Sequence, residues 1–361
     1  MVEIAAKPKM IYRYLGNSGL KVSALSFGNW LNSDADENYE ITRDSIKRCL
    51  EYGINFFDTA EIYNKGSAET QMGRAFKELN VKREDIVVST KLWRVGDGVN
   101  DLFLSRKHLL EGITNSLKRL QMDYVDVVFC HRPDFETPLE ETCRAMHTII
   151  ESGKAFYWGT SMWSADRITK AVEICERLNL HKPITEQPAY SMFRRDIVEK
   201  EYRRLFSEYR YGTTIWSPLA GGILTGKYND GNVPAGSRYD NHKDFLKGTW
   251  ETHFSEAKKE STIKTLTALG QIAQEVGFTQ AQLALAWCLA NQDVSTVILG
   301  FTRLSQVDEN IKALELYEKW DAELEKKVRD VLNNEPEAEM DWRKWSPLEQ
   351  RRSIAVSEKR N

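Results

Sequence analysis

A chain of 361 residues with a formal charge of −3, 41% hydrophobic and 29% charged, has the balance of an ordinary soluble globular protein and gives no reason to invoke nucleic acid or an anionic membrane. The opening MVEIAAKPKMIYRYLG lacks the apolar stretch of a secretory signal, and no segment approaches the ~18 uncharged apolar residues of a membrane span, so a cytoplasmic protein is expected. Cys49, Cys130, Cys143, Cys175 and Cys288 are scattered without a CxxC spacing, which argues for reduced thiols and against a disulfide framework or zinc site.

MIYRYLGNSGLKVS opens the chain as a hairpin turning at Asn17 to Gly19. Apolar, β-branched runs then alternate with amphipathic stretches. The strands are ALSFG, NFFDT, IVVSTK, VDVVFC, AFYWGTS, ITEQPAY, GTTIWSP and STVILG. Between them, ITRDSIKRCLEYG, SRKHLLEGITNSLKRL, PLEETCRAMHTIIESG and ADRITKAVEICERLNL repeat apolar residues at three- and four-residue spacing, as helices do. Strand and helix alternating eight times predict an α/β protein folded as a closed parallel (β/α)8 TIM barrel, a single domain over 1–334; such barrels commonly use ~250 residues or more. A doubly wound sheet is the alternative. It is weakened because no GxGxxG follows the first strand, and Gly96-Asp97-Gly98 after the third lacks the third glycine. Residues 229–261, polar and punctuated by Gly231, Pro234 and Gly236, are too long for a plain strand-to-helix connection and read as a lid or cofactor clamp. Residues 335–361 read as a polar C-terminal tail that Trp342 and Trp345 could anchor.

Four polar residues stand at or just past the ends of different apolar runs: Asp58 and Tyr63 in NFFDTAEIY, Lys91 in IVVSTKL and His131 in VDVVFCHRPD. In a parallel barrel the C-terminal strand ends converge on one face. A carboxylate, a phenol, an amine and an imidazole gathered there can tune the phenol to donate a proton to a carbonyl that is taking up hydride. Singly, each has a plainer reading: Asp58 as a cap, Tyr63 as core, Lys91 as a snorkelling side chain, His131 as a satisfied histidine. Jointly they point to a nicotinamide-dependent carbonyl reductase. The remaining histidines, His108, His147, His181, His242 and His253, show no metal-ligating spacing.

The stretches YRYLGNSGLKVSALSFGNW, GINFFDTAEIY, SRKHLLEGITNSLKRLQMDYVDVVFCHRPD, AFYWGTS, EQPAYSMF, WSPLAGGILTGKY and QLALAWCLANQDVSTVILG resemble the aldo-keto reductases, and within them the cytoplasmic β-subunits of voltage-gated potassium channels. The resemblance implies a barrel that binds NADP(H) without a Rossmann motif and a catalytic tetrad at Asp58, Tyr63, Lys91 and His131. It also implies a cofactor site. Asn29, Trp30 and Asp58 would lie toward its reactive end, with Ser161 and Gln187 on the carboxamide and Trp216 beside the nicotinamide. Ser217, Pro218, Leu219, Ala220 and Gly221 would line the pyrophosphate, with Lys227 and Arg238 as clamps. Gly300, Thr302, Arg303, Gln306, Glu309 and Asn310 would hold the adenosine end. Animal channel subunits typically carry Asn where this chain has His131, and Arg where it has Met162; the histidine favours a competent reductase. Trp30, Tyr63, Trp93 and Trp163 suggest aromatic or medium-sized carbonyl substrates. The resemblance implies a homotetramer beside a potassium channel, held at the inner face of the membrane through that partner; the alternative is a free-standing carbonyl reductase.

Overall fold

A computed structural model describes residues 8–30, 39–241 and 243–337. Two antiparallel strands, β1 (Tyr12–Tyr14) and β2 (Lys21–Ser23), form the expected hairpin. Eight parallel strands follow: β3 (Leu25–Gly28), β4 (Phe56–Asp58), β5 (Val87–Leu92), β6 (Val125–Cys130), β7 (Ala155–Ser161), β8 (Thr185–Gln187), β9 (Gly212–Ile215) and β10 (Val294–Leu299). They close into a barrel as β10 pairs with both β3 and β9. All eight expected runs are strands. The sixth is shorter than its apolar run because Pro188 cannot donate to the ladder, and β8 stops at Gln187.

The two-residue alternation of each strand sorts its side chains between two cores. Phe57 and Val88 face outward to the surrounding helices, in the main core. Phe56, Val87, Val127 and Phe129 point inward and form a smaller cluster with Leu15 and Val22 of the hairpin. The hairpin thus floors the barrel. Its fit depends on Gly16, which holds a positive φ of 50° where a Cβ would lie 1.9 Å from the Ile184 carbonyl oxygen. Arg13 ties the hairpin to the neighbouring helix Gln280–Ala290 and β10 by donating to the carbonyls of Leu289 and Val294, both at 2.6 Å.

Residues 229–261, expected as a lid-like loop, are mostly helical: Arg238–Asn241, Lys243–Phe254 and the start of Lys259–Glu275. Leu246, Trp250 and Phe254 recur every four residues and so share one helix face. Trp250 stacks on Phe254 at 4.0 Å and packs against Tyr239 at 5.1 Å and Tyr228 at 5.7 Å. The polar residues between these apolar positions hide the helical period. Gly96-Asp97-Gly98 wraps the chain's own carboxylate, since the Gly98 N–H donates to Asp101 Oδ2 at 3.0 Å. That negative charge is the wrong sign for a phosphate loop. The tail from 338 on, with Trp342 and Trp345, lies outside the described residues, as does His242.

Glu186 on β8 holds the turn after β7, accepting from Thr160 Oγ1 at 2.5 Å and from the Trp163 N–H at 3.2 Å. Burial outweighs these donors and pushes its carboxyl up to about 8, from an ordinary 4.5. Between those two pH values the folded chain keeps a proton that the unfolded chain has lost, so stability falls as pH rises, by up to about 1.4 kcal/mol per pH unit. We expect Glu186→Gln to flatten that decline in urea unfolding between about pH 5 and pH 8; an unchanged slope would mean the carboxyl is already ionised in the fold.

Candidate active site

The inward-pointing positions of β4, β5 and β6 change character along each strand. Phe56 gives way to Asp58, Val87 to Ser89 and Lys91, and Phe129 to His131 just past the strand end. Apolar groups therefore fill the floor of the barrel, and ionisable ones gather at its C-terminal mouth. Tyr63 reaches the same place from a tight turn, Tyr63–Gly66, in which Asn64 and Lys65 adopt left-handed backbone angles.

Lys91 is the centre of this group. Its Nζ, fully buried, donates to Asp58 Oδ2 at 2.5 Å, to the Thr59 carbonyl at 2.7 Å and to Tyr63 Oη at 3.3 Å. Burial opposes its charge, but Asp58 and Tyr63 outweigh burial and hold the ammonium above its ordinary pKa. The other carboxylate oxygen of Asp58 accepts from Ser89 Oγ at 2.6 Å and from Gln187 Nε2 at 3.2 Å. Burial raises the Tyr63 phenol, while Lys91 pulls it back. The His131 ring stands edge-on to Tyr63, with centroids 5.6 Å apart. Burial, reinforced by Lys91 and Arg132, holds its imidazole well below its ordinary pKa and hence neutral, and its Nδ1 is buried without a partner among the described residues.

The positions expected to hold a cofactor ring the same mouth. Ser161 and Gln187 end β7 and β8, and Ser161 Oγ donates to the Gln187 carbonyl at 2.9 Å. Trp216 follows β9 directly, with its N–H bonded to the Pro188 carbonyl at 3.0 Å. The chain from Ser217 through Pro218, Leu219, Ala220 and Gly221 then curls tightly: Ser217, Ala220, Gly221 and Gly222 all have positive φ, and the Gly221 N–H donates to Ser217 Oγ at 3.1 Å. At Gly222, with φ 110°, a side chain would be strained, and the backbone stays open to a close-approaching group.

Arg238 lies over this curl, 4.9 Å above the Trp30 ring, and donates to the Gly221 carbonyl at 3.4 Å. Burial lowers its pKa, and no acidic side chain among the described residues offsets that. A half-buried guanidinium beside open backbone, with no carboxylate partner among the described residues, suits an anionic ligand such as a dinucleotide's phosphates. After β10, Gln306 fixes the loop from Gly300 by accepting from the N–H groups of Thr302 at 2.8 Å and Arg303 at 3.3 Å, and Gln282 binds the Glu309 carbonyl at 2.7 Å. Lys227 and Arg303 are exposed, while Asn310 is buried. Asn29 is buried with its amide committed to the Ala68 carbonyl.

Trp163 does not line the mouth as expected: it is 1% exposed and packed in the outer core. Sequence reasoning also missed three supports. Ser89 lies two residues before Lys91, so strand alternation alone places it on the same face. Glu61, wholly buried, accepts from the Trp93 N–H at 2.6 Å and pairs with His108 Nε2 at 2.8 Å, pinning the segment between Asp58 and Tyr63. Arg132 brings a further cation beside His131, donating to its carbonyl at 2.6 Å.

The aldo/keto reductase family model matches residues 24–329. A rice (Oryza sativa subsp. japonica) protein named probable voltage-gated potassium channel subunit beta is 47% identical over 329 residues, spanning 91% of this chain and 98% of that one. An Arabidopsis thaliana protein of the same name matches equally, at 47% over 329 residues, with 91% and 98% of the two chains covered. A Schizosaccharomyces pombe protein named putative voltage-gated potassium channel subunit beta is 46% identical over 336 residues, covering 91% and 96%. With its eight-stranded barrel and its match over most of its length, the chain belongs to the aldo/keto reductase family.

Proposed function

We propose that the protein reduces aldehydes or ketones by hydride transfer from NADPH, with Tyr63 as proton donor. The observation that carries this reading is the buried line Asp58–Lys91–Tyr63, with bonds of 2.5 and 3.3 Å. Bound NADPH would supply the hydride. As the carbonyl carbon accepts it, charge grows on the carbonyl oxygen, and the phenol O–H delivers its proton there. The phenolate left behind is stabilised by Lys91, whose charge Asp58 maintains. His131, neutral, donates a hydrogen bond to the same oxygen and competes with Tyr63 for no proton. Ser161 and Gln187 would orient the carboxamide, and the backbone curl at 217–222 with Arg238 would hold the phosphates.

Removing only the donated proton isolates that role. Tyr63→Phe is expected to cut aldehyde turnover by roughly 10² or more while leaving NADPH binding nearly unchanged. Near-normal turnover of 4-nitrobenzaldehyde by this variant would rule out Tyr63 as the donor. His131→Asn keeps a donor and should lose less.

Arg238, with Arg303 and Lys227, supports a choice of NADPH over NADH through charge-assisted bonds to the 2′-phosphate. In a fluorescence titration NADPH should bind more tightly than NADH, and Arg238→Leu should narrow the gap. Equal affinities in the parent protein would remove the assignment.

The names of the rice, Arabidopsis and fission yeast relatives support a second role as a channel-associated subunit. Because the C-terminal mouth is taken by the reductase site, a partner would use the barrel's side or its other end. We expect a homotetramer of four 41.6 kDa chains that recovers potassium channel subunits from native membranes. Light scattering from monomers alone, with no channel subunits recovered, would leave the free-standing reductase.

A further inference from the structure

The barrel's other end carries a group of side chains that the reductase reading leaves unused. His147 and Glu151 lie four residues apart on the helix Leu139–Glu151 and therefore share a face. His181 arrives from the connection between the helix Ala165–Arg177 and β8. The three converge. His181 Nε2 lies 2.7 Å from Glu151 Oε1, and the two imidazole rings are 5.1 Å apart and tilted by 33°. One ligand atom from each residue falls within 4.8 Å of the others. The connection is anchored as well as close: the buried Trp158 donates its indole N–H to the His181 carbonyl at 2.7 Å, and the His181 N–H reaches His147 Nδ1 at 3.3 Å.

From these residues we propose a surface site for a borderline divalent cation, zinc by its ligand chemistry, held by His147, Glu151 and His181. Two imidazoles and one carboxylate are a zinc donor set, whereas magnesium and calcium demand several oxygen ligands and this group offers a single carboxylate. Tetrahedral ligands around zinc stand about 3.3 Å apart, so small side-chain rotations close the cluster, and its exposure leaves the fourth position to water. Without metal, His181 and Glu151 form a surface hydrogen bond. Metal would staple the end of one helix to the connection after the next, at the end of the barrel opposite Lys91.

The test uses the tag-free, EDTA-stripped full-length chain titrated with zinc chloride in a calorimeter, with magnesium chloride in parallel. The expected result is one zinc per chain and a thermal midpoint that rises with zinc, because a ligand bound only by the folded state stabilises it. His147→Asn and His181→Asn should each weaken zinc binding by roughly tenfold or more and abolish the rise, with NADPH binding as in the parent chain to show that the fold is intact. No saturable zinc binding, equal binding of magnesium, or zinc binding that survives in the His147→Asn/His181→Asn double variant would each overturn the site. The last outcome would assign the metal to the cysteines or the remaining histidines.

Discussion

A lysine ammonium with no solvent exposure is the constraint on which the rest of this site depends. Taking such a charge out of water costs several kcal/mol unless its hydrogen-bonding capacity is spent inside the protein. Lys91 has three donors, and three oxygens receive them: Asp58 Oδ2, the Thr59 carbonyl and Tyr63 Oη. No donor is left over. The position of the tyrosine oxygen is therefore set by the tetrahedral geometry of a buried ammonium, and Asp58 cannot swing away because Ser89 and Gln187 hold its second oxygen.

The barrel's construction keeps that arrangement in a medium where it matters. Below the polar layer, Phe56, Val87, Val127 and Phe129 fill the interior, and the hairpin closes it with Leu15 and Val22. Water cannot approach Lys91 from beneath, and charge interactions that water would screen stay strong. The hairpin lies at the opposite end from the chemistry, yet it excludes solvent on behalf of the site. The close approach at Gly16 is part of the same device, since a side chain there would lift the floor off the strand ends.

How far this site is legible in the sequence follows from which interactions are local. Strand alternation is a two-residue rule, so Asp58, Lys91 and His131 can be read as inward-facing strand-end residues, and Ser89 could have been by the same rule. The eight barrel strands were legible because most are short apolar, β-branched runs set between helical patterns. Glu61 and His108 were not, because 47 residues separate them and only the packing of helix on barrel makes them partners. The helical segment after residue 238 was misread as a loop because its apolar stripe, Leu246, Trp250 and Phe254, is diluted by polar and charged neighbours and gains meaning only against Tyr228 and Tyr239. His147 and His181 belong to the same class. Their spacing along the chain has no metal-binding pattern, and proximity appears only when the end of one helix lies beside the connection that follows the next.

As the proposed proton donor, Tyr63 must hold its proton until the carbonyl oxygen demands it, and the forces on it suit that role. Burial raises the phenol's pKa, while Lys91 and Arg132 lower it. Burial is the larger effect, so the resting state is the neutral phenol. The two cations act chiefly on the phenolate, a species that exists only as the proton leaves. In the proposed reaction their stabilisation would therefore be directed to the transition state and withheld from the ground state, which is the condition for speeding it. The same two cations help keep His131 unprotonated. On the proposed mechanism one electrostatic field thus assigns both roles: the tyrosine would give up the proton, and the histidine beside it would lend only a hydrogen bond.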